Sequence, residues 1–279
     1  MTTSAAPMTT VAVSVGGADL PAIAAGPEDG IPVVFLHAGV CDHRMWIAQI
    51  VAAASAGYRA IAYTRRGYGE AKSPDEPFSH LDDLEAVLAH FGIHAAVFVG
   101  CSMGGGLAID FALKHPGRTA GLVLVATAIT NGDYQLSDTD RQMQDVLDDA
   151  DERGDRDMLN KVEAHAWLDG PRSENGRVKG AVRELFFDMN ARALANENAL
   201  NHEIKRPSAR ERIGEINAPA LLVAGDLDFN YILTRHEGLS EDLPNAFATI
   251  IEGTAHLPSL ERPDLFDPLL LEFLSAVTG

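Results

Sequence analysis

The chain reads as an α/β protein, a mostly parallel sheet flanked by helices and interrupted by a helical insertion. Three observations predict this. Short apolar, β-branched runs recur along the sequence, several of them ending in glycine. Helical periodicities separate the runs. One long stretch, from about 131 to 207, is helical in pattern and contains no convincing strand. Runs that are apolar on both faces belong in a buried parallel sheet, and their alternation with helices predicts βαβ units with right-handed crossovers.

The expected strands, in order, are "TTVAVSV", "PVVFLHAG", "YRAIAYT", "AAVFVG", "AGLVLVA", "PALLVAG" and "AFATIIEG". Between them, "RMWIAQIVAAASA", "HLDDLEAVLAHFG" and "GGLAIDFALKHPG" repeat apolar residues at spacings of three and four, with Gly or Pro marking the ends. Trp46 is expected to pack the first of these helices on the sheet. After Ala126 the rhythm breaks. "DRQMQDVLDDADERGDRDMLNKVEAHAWL" and "VKGAVRELFFDMNARALANENAL" are helical, with the turn-rich "DGPRSENG" between them, and "PALLVAG" then resumes the sheet. The expected organisation is a core in two parts, 1–130 and 208–279, with a helical cap over 131–207.

A chain of 279 residues with 46% hydrophobic and 22% charged residues has the composition of an ordinary globular protein. No 18-residue apolar stretch is present, so a transmembrane helix is excluded. The opening "MTTSAAPMTT" lacks the basic start and apolar stretch of a signal peptide and is expected to be a frayed, cytoplasmic N-terminus. Cys41 and Cys101 are the only cysteines and form no metal-ligand pattern, which argues against a disulfide framework or a zinc site. A net charge of −18 disfavours nucleic acid and anionic lipid as partners.

The chemistry concentrates at Gly100-Cys101-Ser102-Met103-Gly104, a G-x-S-x-G pattern with a strand directly before it and a helix directly after. Its mechanical sense is a turn too sharp for side chains at the flanking positions, which lifts the serine hydroxyl above the sheet. That hydroxyl is un-ionised at neutral pH, so a nucleophilic role requires a base and a third group to orient the base. Asp226 and Asp228 follow the strand "PALLVAG", and His256 follows the next. The order Ser, Asp, His differs from the orders of chymotrypsin and subtilisin.

On these motifs the chain resembles the α/β-hydrolase superfamily, in particular its capped esterases, lactonases and C–C hydrolases. "FLHAGV" is similar to the family's His-Gly motif, "TRRGYGEA" to its D-x-R-G-x-G-x-S segment, "GCSMGG" to its nucleophile elbow, "GDLD" to its acid loop and "GTAHLPSLERP" to its histidine loop. The resemblance implies an eight-stranded, mostly parallel sheet. It makes Ser102 the nucleophile, His256 the general base and then general acid, and Asp228 the orienting carboxylate, with Asp226 as its rival. It places the oxyanion donors at the amides of Met103 and Gly39, with Val40 the nearest alternative to the latter, and gives His37 a bracing role. Cys101, one residue before the apex, is expected to point away from the serine's site.

The sequence departs from the family pattern at Thr64, Ala71 and Ala38, where an acid, a serine and a glycine are usual. The expected activity is hydrolysis of a carboxylic ester or lactone through an acyl-enzyme, with no cofactor and no metal. C–C hydrolases, lyases, acyltransferases and perhydrolases with the same triad are the first alternative, and a ligand receptor or scaffold with little turnover is the second. Trp167, Leu168, Leu185, Phe186 and Met189 are the candidate pocket walls. The acidic cap favours a neutral small-molecule substrate unless an arginine such as Arg66 or Arg183 turns inward.

Overall fold

The computed structural model describes residues 8–130 and 135–279. The start of the expected cap at 131 and most of the expected frayed N-terminus lie outside the described residues. Eight strands form one sheet: β1 (Thr9–Val15), β2 (Ala18–Ala25), β3 (Pro32–Leu36), β4 (Arg59–Tyr63), β5 (Ala96–Cys101), β6 (Thr119–Val125), β7 (Ala220–Gly225) and β8 (Ala246–Ile251). Their order is β1-β2-β4-β3-β5-β6-β7-β8. Every pairing from β4 to β8 is parallel, whereas β1 with β2 and β2 with β4 are antiparallel.

Seven of these strands correspond to the apolar runs of the sequence. The eighth, β2, is Ala-rich and contains Pro21, which weakens its strand signature. It forms because it lies between β1 and β4 and pairs with both.

The helices are α1 (Ile47–Ser55), α2 (His80–His90), α3 (Met103–Lys114), α4 (Asp138–Glu152), α5 (Arg156–Glu163), α6 (Ala181–Asn196), α7 (Asn230–Asp242), α8 (Pro258–Glu261) and α9 (Pro263–Thr278). Alternation along the strands divides the core in two, because successive side chains in a strand point to opposite faces. Val34, Leu36, Phe98, Leu122 and Leu124 pack against Leu84 and Val87 of α2 and Leu107 and Phe111 of α3. Val33, Phe35, Val97, Val99 and Val123 pack on the other face against Ile50 of α1 and Leu270 and Leu274 of α9. Trp46 is fully buried in this second cluster, its ring 5.5 Å from Phe35 and 6.2 Å from Phe266.

The insertion lies within the single crossover from β6 to β7, which are direct neighbours. Where the sequence reads as near-continuous helix, the chain breaks at Gly154 (φ 67°), and Asp155 then caps α5 by accepting the Met158 amide. After α5 the helix widens into a π-helical segment, Ala164–Asp169. Met143, Leu147, Leu159 and Ala166 of the insertion close against Phe229 and Ile232, so the cap shares a core with the start of α7.

Candidate active site

The elbow between β5 and α3 is built by exclusion. Ser102 has φ 52° and ψ −118°. Among the described residues it and Ala126 are the only non-glycines with positive φ. Such a conformation costs of order 1–3 kcal/mol and persists only where the surroundings fix it. A Cβ on Gly100 would lie 2.5 Å from the Gly104 carbonyl oxygen, one on Gly104 2.2 Å from the Leu36 carbonyl oxygen, and one on Gly105 2.3 Å from Thr127 Oγ1. The small residues around the serine thus let α3 start hard against β3 and β5. Two backbone bonds pin the apex: the Ser102 amide donates to the Val125 carbonyl at 2.8 Å, and the Ala128 amide to the Ser102 carbonyl at 3.0 Å.

The loop after β7 carries Asp228 and the loop after β8 carries His256, both almost wholly withdrawn from solvent. His256 Nδ1 lies 2.8 Å from Asp228 Oδ2. A carboxylate only accepts, so Nδ1 is the donor in this pair, and in the neutral ring Nε2 is then the acceptor. Asp228's other oxygen accepts the Phe229 amide at 2.8 Å, which fixes the carboxylate's orientation. Asp226 does not meet the histidine; it accepts the Gly253 amide at 2.6 Å on the exposed side of the loop. His256 is joined to the elbow through Cys101, whose buried thiol donates weakly to the His256 carbonyl oxygen at 3.6 Å. Burial pushes that thiol's pKa well up, which keeps it protonated.

Met103 is the first residue of α3, where amides lack helical partners and the helix dipole favours negative charge. Gly39 sits directly against it: a Cβ there would be 2.7 Å from Met103 Sδ. The Met103 side chain therefore packs against the loop that carries Gly39. His37, fully buried, braces the same loop. Its Nε2 accepts the Arg65 amide at 3.0 Å, and its Nδ1 donates to the Ala38 carbonyl at 2.8 Å. Burial and the nearby Arg65 cation hold it neutral, with a pKa well below the ordinary histidine value. At the departing position, Thr64 Oγ1 meets His43 Nδ1 at 2.5 Å, so a hydroxyl–imidazole contact stands where the family pattern has an acid.

The cap reaches the site through Trp167. Its ring centroid is 4.8 Å from that of His256 and 4.8 Å from that of Phe229, and its carbonyl accepts the His256 amide at 3.2 Å. Leu168, Phe186 and Met189 are fully buried in the cluster below the cap, whereas Trp167 and Leu185 are partly exposed. Arg66 and Arg183 are both engaged elsewhere. Arg66 pairs with Asp83 through Nε at 2.8 Å and Nη2 at 3.0 Å, and Arg183 Nη1 meets both oxygens of Asp169 at 2.9 and 2.8 Å.

Further cap contacts had no sequence signal. Buried Asp140 of α4 accepts the amides of Asn230 and Tyr231 at 3.1 and 3.2 Å, capping α7 just after the acid loop. Arg172 donates to the Asp228 carbonyl at 2.8 Å. Cavities of about 350 and 590 Å³ open elsewhere, one at the far end of α3 beside Arg206 and one along α7 beside Arg235; none of the three predicted triad residues lines either.

This sheet order, elbow and acid–histidine pair define an α/β-hydrolase-type enzyme, and comparison with known proteins agrees. Residues 33–268 match the model of the alpha/beta hydrolase family, and the chain belongs to that family. It is 24% identical to 3-oxoadipate enol-lactonase 1 of Acinetobacter baylyi, over 90% of this chain and 91% of that protein. It is 27% identical to a non-heme chloroperoxidase of Kitasatospora aureofaciens, over 88% of this chain and 93% of that one. Among solved structures, the enol-lactonase of Burkholderia xenovorans superposes with a TM-score of 0.78 at 22% identity, over 95% of this chain and all of that one. Relatives that differ this much in reaction share the fold and leave the substrate to the individual site. No helix among the described residues is long and apolar enough to cross a membrane.

Proposed function

We propose that the protein is a serine hydrolase of a neutral carboxylic ester or lactone. The observation that supports this most is the buried 2.8 Å contact between His256 Nδ1 and Asp228, which orients the imidazole and leaves Nε2 free as a base. In this reading Ser102 Oγ attacks the carbonyl carbon while its proton passes to His256 Nε2. The oxyanion that forms is received by the amides of Met103 and Gly39. Collapse expels the alkoxide, which takes the proton from His256; a lactone's alcohol stays tethered to the acyl group. Water then gives a proton to His256 and attacks the acyl-enzyme, and the acid leaves with Ser102 restored. Each oxyanion donor of this kind contributes about 3–4 kcal/mol to the transition state.

The preference for a neutral substrate rests on charge. Arg66 and Arg183 are committed to Asp83 and Asp169, and the surface that the cap offers near His256 is the indole of Trp167. The test compares kcat/KM for a neutral ester and its carboxylate-bearing analogue of matched length, at low and high salt. The neutral ester is expected to be the better substrate, with little salt dependence. A preference for the anion that weakens as salt rises would overturn the charge argument.

A further inference from the structure

One part-buried ion pair links the cap to the histidine loop, and neither partner belongs to the triad. Glu261, at the end of α8, has a side chain only 2% exposed. Its Oε1 accepts the amide of Ala255, the residue before His256, at 2.9 Å. The other oxygen, Oε2, meets Arg177 Nη2 at 2.5 Å. Arg177 comes from the cap, 84 residues earlier in the chain. Its Nε donates to the Asp169 carbonyl at 2.7 Å, Nη2 to the Leu168 carbonyl at 2.8 Å and Nη1 to the Gly253 carbonyl at 2.8 Å. One guanidinium thus holds the end of the π-helical segment, the entry to the histidine loop and the carboxylate that fixes that loop.

We propose that Glu261 is a positioning residue for His256, and that Arg177 makes this positioning depend on the seated cap. The inference rests on the serine-hydrolase reading above. His256 is held from three sides: Asp228 bonds the ring, Trp167 packs against it at a tilt, and Glu261 fixes the backbone just before it. Charge-assisted bonds from backbone amides to a buried carboxylate are stronger than neutral ones and set geometry as well as energy. A carboxylate buried this deeply is costly unless paired. Desolvation raises the pKa of Glu261 to about 7, and Arg177 is the main opposing influence. Removing Arg177 therefore does more than free the cap. It leaves Glu261 to take up a proton and weakens its hold on the Ala255 amide.

The test measures the rate at which a fluorophosphonate probe labels Ser102, together with kcat and KM on the best neutral ester, in folded variants compared by thermal midpoint. Glu261→Leu removes the acceptor. A displacement of His256 by about 1 Å is expected to slow labelling and lower kcat by about 10²-fold, with KM little changed. Glu261→Gln keeps an oxygen acceptor but not the charge, and is expected to fall between wild type and Glu261→Leu. Arg177→Met is expected to slow labelling in the same way, with Arg177→Lys intermediate. The double variant Glu261→Leu/Arg177→Met is expected to be no slower than the worse single one, because the two act as a unit.

Labelling at the wild-type rate in Glu261→Leu or Arg177→Met, or losses that multiply in the double variant, overturns the inference. If Glu261→Leu does not fold, Glu261→Gln and the Arg177 variants carry the test. Ser102→Ala and His256→Ala separate the two levels of the argument. Undiminished turnover in either sinks the serine-hydrolase reading itself. Loss of labelling in both, with wild-type rates in the Glu261 and Arg177 variants, sinks only the coupling.

Discussion

The two sides of the site are held in place by different physics. The serine side is steric: Gly100, Gly104 and Gly105 leave no room for a Cβ, and the backbone of Ser102 is forced to φ 52° between two strands and a helix. The acid and histidine side is polar, and much of its support comes from the cap. Asp140 caps the helix after Asp228, Arg172 holds the Asp228 carbonyl, Trp167 accepts the His256 amide, and Arg177 reaches Glu261. A sterically built turn is fixed by the core alone. A turn held by hydrogen bonds is fixed only while its partners stay in place, so on the proposed reading the insertion helps to hold the acid and histidine loops.

The largest expected effect falls on the polar side. Asp228→Asn should preserve the fold and lower kcat by about 10²–10⁴-fold, because the imidazole loses its tautomer and the imidazolium its partner. Asp226→Asn, whose carboxylate accepts the Gly253 amide and not His256 among the described contacts, should do far less. Steady-state rates at matched thermal stability check the pair, and a reversed outcome would assign the acid to Asp226. On the steric side, Gly104→Ala places a methyl 2.2 Å from the Leu36 carbonyl oxygen, where only backbone can yield. It should lower unfolding stability by about 1–3 kcal/mol, measured by denaturant titration, and an unchanged midpoint would mean that the elbow relaxes freely.

A smaller effect concerns pH. His80, fully buried, is kept neutral by desolvation first and by Arg65, Arg206, His37 and Arg66 after it. Glu203, 3.7 Å away, does not offset this, since burial raises its own pKa. Below the ordinary histidine value of 6.5 the unfolded chain binds a proton that the native His80 refuses, so this group's contribution is intact above 6.5 and is lost as pH falls. The loss is at most about 1.4 kcal/mol per pH unit. The thermal midpoint of His80→Phe relative to wild type should therefore rise between pH 7 and pH 5. A pH-independent difference would show that His80 protonates in the native state.

The same division explains what the sequence made legible. Strands β3 to β7 announce themselves because burial on both faces forces apolar, β-branched residues into short runs, and the elbow because its glycines are close in sequence. The antiparallel β2 was hidden because Pro21 and its alanines carry no local strand signal, and pairing on both sides supplies what propensity lacks. In the insertion, Leu168, Phe186 and Met189 are large apolar residues, as either pocket walls or core would be, and they lie wholly buried. Arg177 and Glu261 meet across 84 residues, and a charge in a loop carries no mark of a partner that distant.

The most direct test of the site is to map where a phosphonate ester probe attaches. Reaction of the wild-type protein, digestion and peptide mass spectrometry should find one adduct, on Ser102, and none in Ser102→Ala, with His256→Ala labelled far more slowly. An adduct on another residue, or equal labelling of Ser102→Ala, would contradict Ser102 as the nucleophile.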